Sequence, residues 1–202
     1  MIIMIIELSV IRLSLEADMS VADRSIDPRI MESAKGEFLQ KGFLDASLQE
    51  ICKNAGVTTG ALYKRFKGKE ELFCALVDNT VQDLEEVVRQ KSVLPATLTD
   101  EQLKKAWDMD REYMQWWFDY LYDRYDEMRL LLVFSDGTKY ANFEHEWVES
   151  MSHTTYAYYK EARRRGLTKT DISEKELHVM LSSFWTAICE PLIHGFTKEE
   201  AG

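Results

Sequence analysis

Cysteine is scarce in this chain of 202 residues, with only Cys52, Cys74 and Cys189, an odd number set far apart. That count excludes the disulfide framework of a small secreted domain and the paired ligand spacing of a structural zinc site, and it fits a reducing cytoplasm. Proline is equally rare at three residues. No segment of the body alternates apolar and polar residues as a half-buried strand would, and no low-complexity tract interrupts the pattern, so the chain reads as all-α. No glycine-rich phosphate loop leads into a helix, and no serine or cysteine lies in a recognisable nucleophile setting. The sequence therefore predicts no catalytic residue and no cofactor. Met1 to Leu15 is strongly apolar, but Glu7 and Arg12 interrupt it, no basic region precedes it and no small-residue cleavage site follows. It matches neither a signal peptide nor a membrane span, and no membrane partner is expected.

What the chain has in quantity is negative charge, −10 overall, which at first argues against a polyanionic partner. The distribution reverses that argument. Pro28 to Lys69 holds eight basic residues against four acidic ones, a balance of +4, which leaves −14 for everything else. A chain so polarised orients its basic end toward nucleic acid and repels it elsewhere, with the salt sensitivity that counterion release imposes.

The basic segment has a recognisable grammar between Ser47 and Lys69, SLQEICKNAGVTTGALYKRFKGK. Ser47 and Glu50 form an S-x-x-E capping box that starts a helix. Leu48, Ile51, Cys52 and Ala55 give that helix an apolar face, and Gly56 ends it. Val57 plugs the turn and Thr58 caps a second helix, with Leu62 and Phe66 facing inward. Thr59, Gly60, Ala61, Tyr63, Lys64 and Arg65 are left on the outer surface. Hydroxyl, phenol and cationic groups suit phosphate oxygens, while small Gly60 and Ala61 let the helix N-terminus approach base edges. Gly68 and Lys69 open a third helix whose positive end, with the lysine ammonium, is expected to hold a phosphate. The candidate DNA contacts are thus Ser47, Thr58, Thr59, Gly60, Ala61, Tyr63, Lys64, Arg65 and Lys69.

Over these residues the chain resembles the TetR family of bacterial one-component transcriptional repressors, whose signature runs T-x-x-x-I-A-x-x-A-G-V-S-x-G-x-L-Y-x-x-F-x-x-K-x-x-L. Ser47, Ile51, Cys52, Ala55, Gly56, Val57, Thr58, Gly60, Leu62, Tyr63, Phe66, Lys69 and Leu72 occupy the matching positions. The departures are mild: Ser47 replaces threonine, Cys52 alanine and Thr58 serine. The resemblance implies a three-helix DNA-binding domain with a helix-turn-helix, followed by a helical domain that binds an effector and dimerises. It sets expected boundaries at 1–26 for an N-terminal extension, 27–72 for the DNA-binding domain and 73–202 for the effector-binding and dimerisation domain. Because the family's first helix starts near Pro28 and Met19 lies shortly before it, the residues ahead of Met19 are expected to reflect an upstream start codon or an accessory segment.

Along the rest of the chain, Asp27-Pro28 caps a helix carrying Ile30, Ala34, Phe38 and Leu39 and ending at Gly42. Gly36 sits inside it, which implies either a closely approaching backbone or a locally weak helix. Leu72, Leu76, Thr80, Leu84, Val87 and Val88 sustain one long helix to roughly Gln90. Thr99 with Gln102 opens a helical stretch to about Arg124, continued by Glu127 to Phe134 and broken at Asp136-Gly137. A helix from about Asn142 to Arg165 stops at Gly166, and Ser173 with Glu176 caps a last helix.

In that last helix Leu177, Met180, Leu181, Phe184, Trp185 and Ile188 form an apolar face too broad for a lone surface helix, and they are the predicted interface of a homodimer. Between Trp107 and Trp147 the chain is rich in aromatic residues interleaved with aspartates. That composition suits either an ordinary core or a pocket for a flat apolar, aromatic or cationic effector, with Trp117, Tyr120, Phe143 and Trp147 as candidate lining residues. His145, Glu149 and His153 share one helix face, yet they depart from the H-E-x-x-H pattern because Glu149 stands where the second histidine belongs, and no metal is predicted there. The expected function is a cytoplasmic, sequence-specific DNA-binding regulator, a repressor released from a palindromic operator by a small molecule. Its rivals are a helical metal-dependent enzyme centred on His145 and Glu149, and a protein-interaction module whose helix-turn-helix is only structural.

Overall fold

The computed structural model describes residues 28–92, 98–105 and 111–201. The expected N-terminal extension and the Asp27 cap lie outside the described residues. All regular structure among the described residues is helical, as the sequence predicts.

Helix α1 (Pro28–Asp45) begins with proline at its first position, where the missing N–H costs nothing, and buries Ile30, Ala34 and Phe38 at four-residue spacing. Its helical geometry breaks at Gly42, the expected end, then resumes for a final turn in which the Ala46 N–H donates to the Gly42 carbonyl at 3.1 Å. Gly36 faces open space: a Cβ built there meets nothing within 4 Å. The glycine is a local weakness of the helix, not a point of close approach. Helices α2 (Leu48–Ala55) and α3 (Thr59–Tyr63) complete the head, with the Ser33 hydroxyl donating to the Ile51 carbonyl at 2.9 Å to tie α1 to α2.

Helix α4 (Lys69–Ser92) belongs to both halves of the molecule. Near its start Phe73 packs edge-on against Phe38 and Phe43 of α1, at 5.2 and 5.6 Å between ring centroids. Further along, Val81, Leu84 and Val87 join the body's buried cluster, so one apolar core runs from head to body. The expected domain boundary at 72/73 falls in the first turn of this shared helix.

The body comprises α5 (Asp100–Lys105), α6 (Arg111–Asp123), α7 (Tyr125–Val133), α8 (Phe143–Arg164), α9 (Glu174–Ile193) and a final turn, α10 (Lys198–Ala201). Thr99 with Gln102 and Ser173 with Glu176 each make the reciprocal capping bonds that the sequence predicts for α5 and α9. The stretch expected to run to about Arg124 ends there, where the backbone (φ −120°, ψ 33°) leaves helical geometry before the next helix begins. Helices α8 and α9 pack together, with α7 against both. The turn after α7 also touches the head: the Phe43 N–H donates to the Phe134 carbonyl at 3.0 Å, and the Lys139 N–H to Glu70 at 2.9 Å.

Candidate nucleic-acid interface

The turn between α2 and α3 is built by local rules. Gly56 adopts φ 66°, a left-handed conformation costly for any residue with a Cβ, and lets the Val57 N–H reach back to the Cys52 carbonyl at 2.9 Å. The Thr58 hydroxyl then accepts the Ala61 N–H at 3.2 Å, starting α3. Leu62 and Phe66 are buried against the head, which rotates the opposite face outward.

On that face Thr58, Thr59, Gly60, Tyr63, Lys64 and Arg65 are exposed and Ala61 is half-buried. Tyr63, at 57% exposure, is a large ring that the fold does not cover. A Cβ on Gly60 would meet only the Thr58 hydroxyl at 3.9 Å, so protein packing does not require glycine there.

The start of α2 differs in one respect from the predicted capping box. Ser47 accepts the Glu50 N–H at 3.4 Å, but its own N–H donates at 2.9 Å to Glu37 of α1, while Glu50 pairs with Lys53 at 3.1 Å. Glu37 is buried and also receives the Lys41 ammonium at 2.8 Å. Burial opposes its ionisation, but the Lys41 ammonium and the Ser47 N–H outweigh that and hold the carboxyl below its usual range. Sequence reasoning missed Glu37, although its position three residues after Ala34 places a carboxylate on the inward side of α1, which is itself a signal.

Lys69 is also placed differently from expectation. Its ammonium donates to the Leu44 and Ala46 carbonyls at 2.8 and 3.0 Å and lies 4.8 Å above the Phe43 ring, closing the end of α1. At the same helix start the Lys67 N–H is taken by Glu71 at 2.6 Å. The Lys69 ammonium, predicted to hold a phosphate at the head of α4, therefore serves the protein's own junction.

In the body, the four candidate effector residues are buried. Trp117 contacts Trp147 and Tyr120 at 6.3 and 5.9 Å between ring centroids, and Phe143 lines a neighbouring cleft. Of the six residues expected at a dimer interface, Leu177, Leu181 and Trp185 are instead covered by the chain's own helices, and Trp185 joins the aromatic cluster 5.9 Å from Trp117. The broad apolar face of α9 is wide because it meets α7 and α8 on one side. Met180, at 59% exposure, points outward beside Val179, while Phe184 and Ile188 are half-buried. His153 pairs with Glu174 at 3.0 Å, and His145 meets His178 edge-on at 5.9 Å between ring centroids. No group of three or more His, Cys, Asp or Glu side chains among the described residues is placed to hold a metal.

Residues 30–76 match the family model described as bacterial regulatory proteins, tetR family. Over those residues the chain is similar to that family. It is 40% identical over 57 residues to the HTH-type transcriptional regulator SrpR of Pseudomonas putida, a match covering 28% of this chain and 27% of that protein. It is also 40% identical over 57 residues to the uncharacterized HTH-type transcriptional regulator TtgW, again of Pseudomonas putida, covering 42% of that chain. The match thus spans less than half the length of either curated relative. The fold resembles the crystal structure of the TetR family transcriptional regulator PfmR from Thermus thermophilus, with a TM-score of 0.57 at 16% identity, covering 86% of this chain and 88% of that one. At that identity the likeness speaks for the fold: an amino-terminal helix-turn-helix and a helical body.

Proposed function

We propose that the chain is a sequence-specific DNA-binding transcriptional regulator, a repressor that acts in the cytoplasm as a homodimer and is released from a palindromic operator by a small-molecule effector, with no enzymatic activity of its own. The observation that carries this reading is the outward face of α3, where hydroxyls, a phenol and cations surround a glycine that the fold does not need. Thr59 and Lys64 are the base readers, Gly60 and Ala61 permit close approach, and Ser47, Thr58, Tyr63 and Arg65 hold phosphates. Lys69 acts through the α1 junction it closes. Two such heads related by a twofold axis engage successive major grooves about 34 Å apart.

The dimer contact falls on the outer strip of α9, Val179 and Met180 with Phe184 and Ile188, where apolar side chains remain accessible. Effector binding in the body acts on α4, the helix shared by both halves, and so on the separation of the heads. The coupling is reciprocal: operator DNA lowers effector affinity by the factor by which effector lowers operator affinity.

A gel-shift titration of the chain against its own upstream DNA at rising salt tests the reading. The expected result is a steep linear loss of log affinity with log salt. Thr59→Ala and Lys64→Ala each lose about 1–3 kcal/mol at particular operator positions and nothing at others. Failure to shift any duplex at low ionic strength overturns the proposal, and a uniform loss for Lys64→Ala moves that residue to the phosphate class. Among the described residues no helix is long and apolar enough to cross a membrane.

A further inference from the structure

The link between α1 and α2 contains one peptide unit that is gripped at both ends by charged side chains. The carbonyl of Ala46 accepts the Lys69 ammonium at 3.0 Å, and the N–H of that same amide, carried by Ser47, donates to the Glu37 carboxylate at 2.9 Å. A peptide group is planar, so a cation on its oxygen and an anion on its N–H together fix its tilt. Both contacts polarise the amide in the same sense, and each strengthens the other.

The two side chains are committed to this task. Glu37 is 6% exposed, and the oxygen that accepts the Ser47 N–H also takes the Lys41 ammonium at 2.8 Å. Of the three donors on the Lys69 ammonium, two go to the Leu44 and Ala46 carbonyls, and the nitrogen lies 4.8 Å over the Phe43 ring.

The gripped unit stands at the entrance to the reading head. Ser47 is the N-cap of α2, so the tilt of the peptide that enters it sets the direction of that helix. The Val57 N–H on the Cys52 carbonyl and the Thr58 cap then attach α3 to the end of α2. At five residues α3 is too short to hold an orientation of its own and follows α2. Base contacts survive only when their supports hold them to within about 0.5 Å.

We propose that Glu37 and Lys69 act as a pair of positioning residues for the reading helix: from α1 and from the first turn of α4 they hold the Ala46–Ser47 peptide, aim α2 and with it α3 at the major groove, and touch no DNA themselves. The proposal rests on the DNA-binding reading and gives Lys69 a role other than the phosphate contact expected from the sequence.

The test uses the full chain, a duplex that the wild type enriches from its own upstream DNA, and a scrambled duplex of the same length, with affinities measured by fluorescence anisotropy on variants shown to be folded by circular dichroism. Glu37→Gln removes a negative charge from the head, which by charge alone would tighten binding to both duplexes. The pair predicts the opposite on the enriched duplex, a loss of about tenfold, the size of one good base contact, with no loss on the scrambled one. Lys69→Met is expected to lose a similar factor on the enriched duplex while the slope of log affinity against log salt stays that of the wild type; removal of a phosphate contact would flatten it by about 0.9. The double variant loses no more than about threefold beyond the worse single change, because the peptide is already released. A merely structural role, acting through a smaller folded fraction, would cut both affinities by one factor and leave their ratio unchanged. Lys69→Arg keeps a cation for the carbonyls and retains the discrimination, and with Lys69→Met it carries the test if Glu37→Gln does not fold. Unchanged discrimination or tighter binding of the enriched duplex in Glu37→Gln, a flattened slope in Lys69→Met, losses that multiply in the double variant, or a Lys69→Arg loss equal to that of Lys69→Met each overturn the pairing and leave the regulator standing. A wild type that enriches no duplex at low ionic strength overturns both.

Discussion

The head and the body treat buried polar groups in opposite ways. In the head, Glu37 takes the Ser47 N–H and the Lys41 ammonium, Ser33 reaches the Ile51 carbonyl, and Lys69 closes two carbonyls at the end of α1. In the body, three ring donors, on Tyr120, Trp147 and Trp185, and the Arg129 Nε lie buried without a partner among the described residues. A satisfied polar network holds one geometry, whereas the unpaired ring donors of the body are held by the packing of the aromatic rings around them. The two regions are nevertheless not independent, because α4 carries a continuous apolar core through both.

That continuity can be broken most forcefully at Phe38. Phe38→Ala is expected to cost about 3–5 kcal/mol. All five tryptophans lie at or beyond residue 107, so tryptophan fluorescence reports the body alone while circular dichroism reports the whole chain. If head and body unfold together, the two urea midpoints fall together; a fluorescence midpoint that stays put would show that the head melts separately. Next in size is the acid response of Glu37. Its folded carboxyl is held below the ordinary value of 4.5, so the stability it contributes is complete above that pH and is lost as pH falls below it. Glu37→Gln should flatten the acid limb of a stability–pH curve, and an unchanged limb would mean that the Lys41 and Ser47 contacts are energetically idle. Ser47→Ala removes the acceptor for the Glu50 N–H and is expected to cost about 1 kcal/mol in thermal unfolding. The smallest effect has the opposite sign: Gly36→Ala, with open space for its methyl group, should stabilise the head by roughly 0.5–1 kcal/mol. A loss there would reveal a contact on the exposed side of α1.

The helix-turn-helix was legible because its signals are local. Ser47, Gly56 and Thr58 act on backbone groups within four residues, so spacing alone places the caps and the turn. The same holds for the boxes at Thr99 and Ser173. Contacts between distant segments were not legible in that way. Glu50 is the obvious acceptor for the Ser47 N–H by spacing, yet Glu37, ten residues back, reaches it once α1 packs on α2. Lys69 looked like a phosphate ligand until the end of α1 came within its reach. Leu177, Leu181 and Trp185 were readable as buried, but their pattern is the same whether α7 and α8 or a second subunit covers them.

By itself, then, the sequence determined where helices start and stop, which faces are apolar and which short helix carries the cations, because each of these follows from interactions over three or four residues. Only the tertiary structure decided which carboxylate holds the second helix, what Lys69 touches, which side of α9 is already covered and which ring donors are left unpaired. Those outcomes depend on segments ten or more residues apart meeting in space, and periodicity along one helix carries no information about the identity of its neighbour.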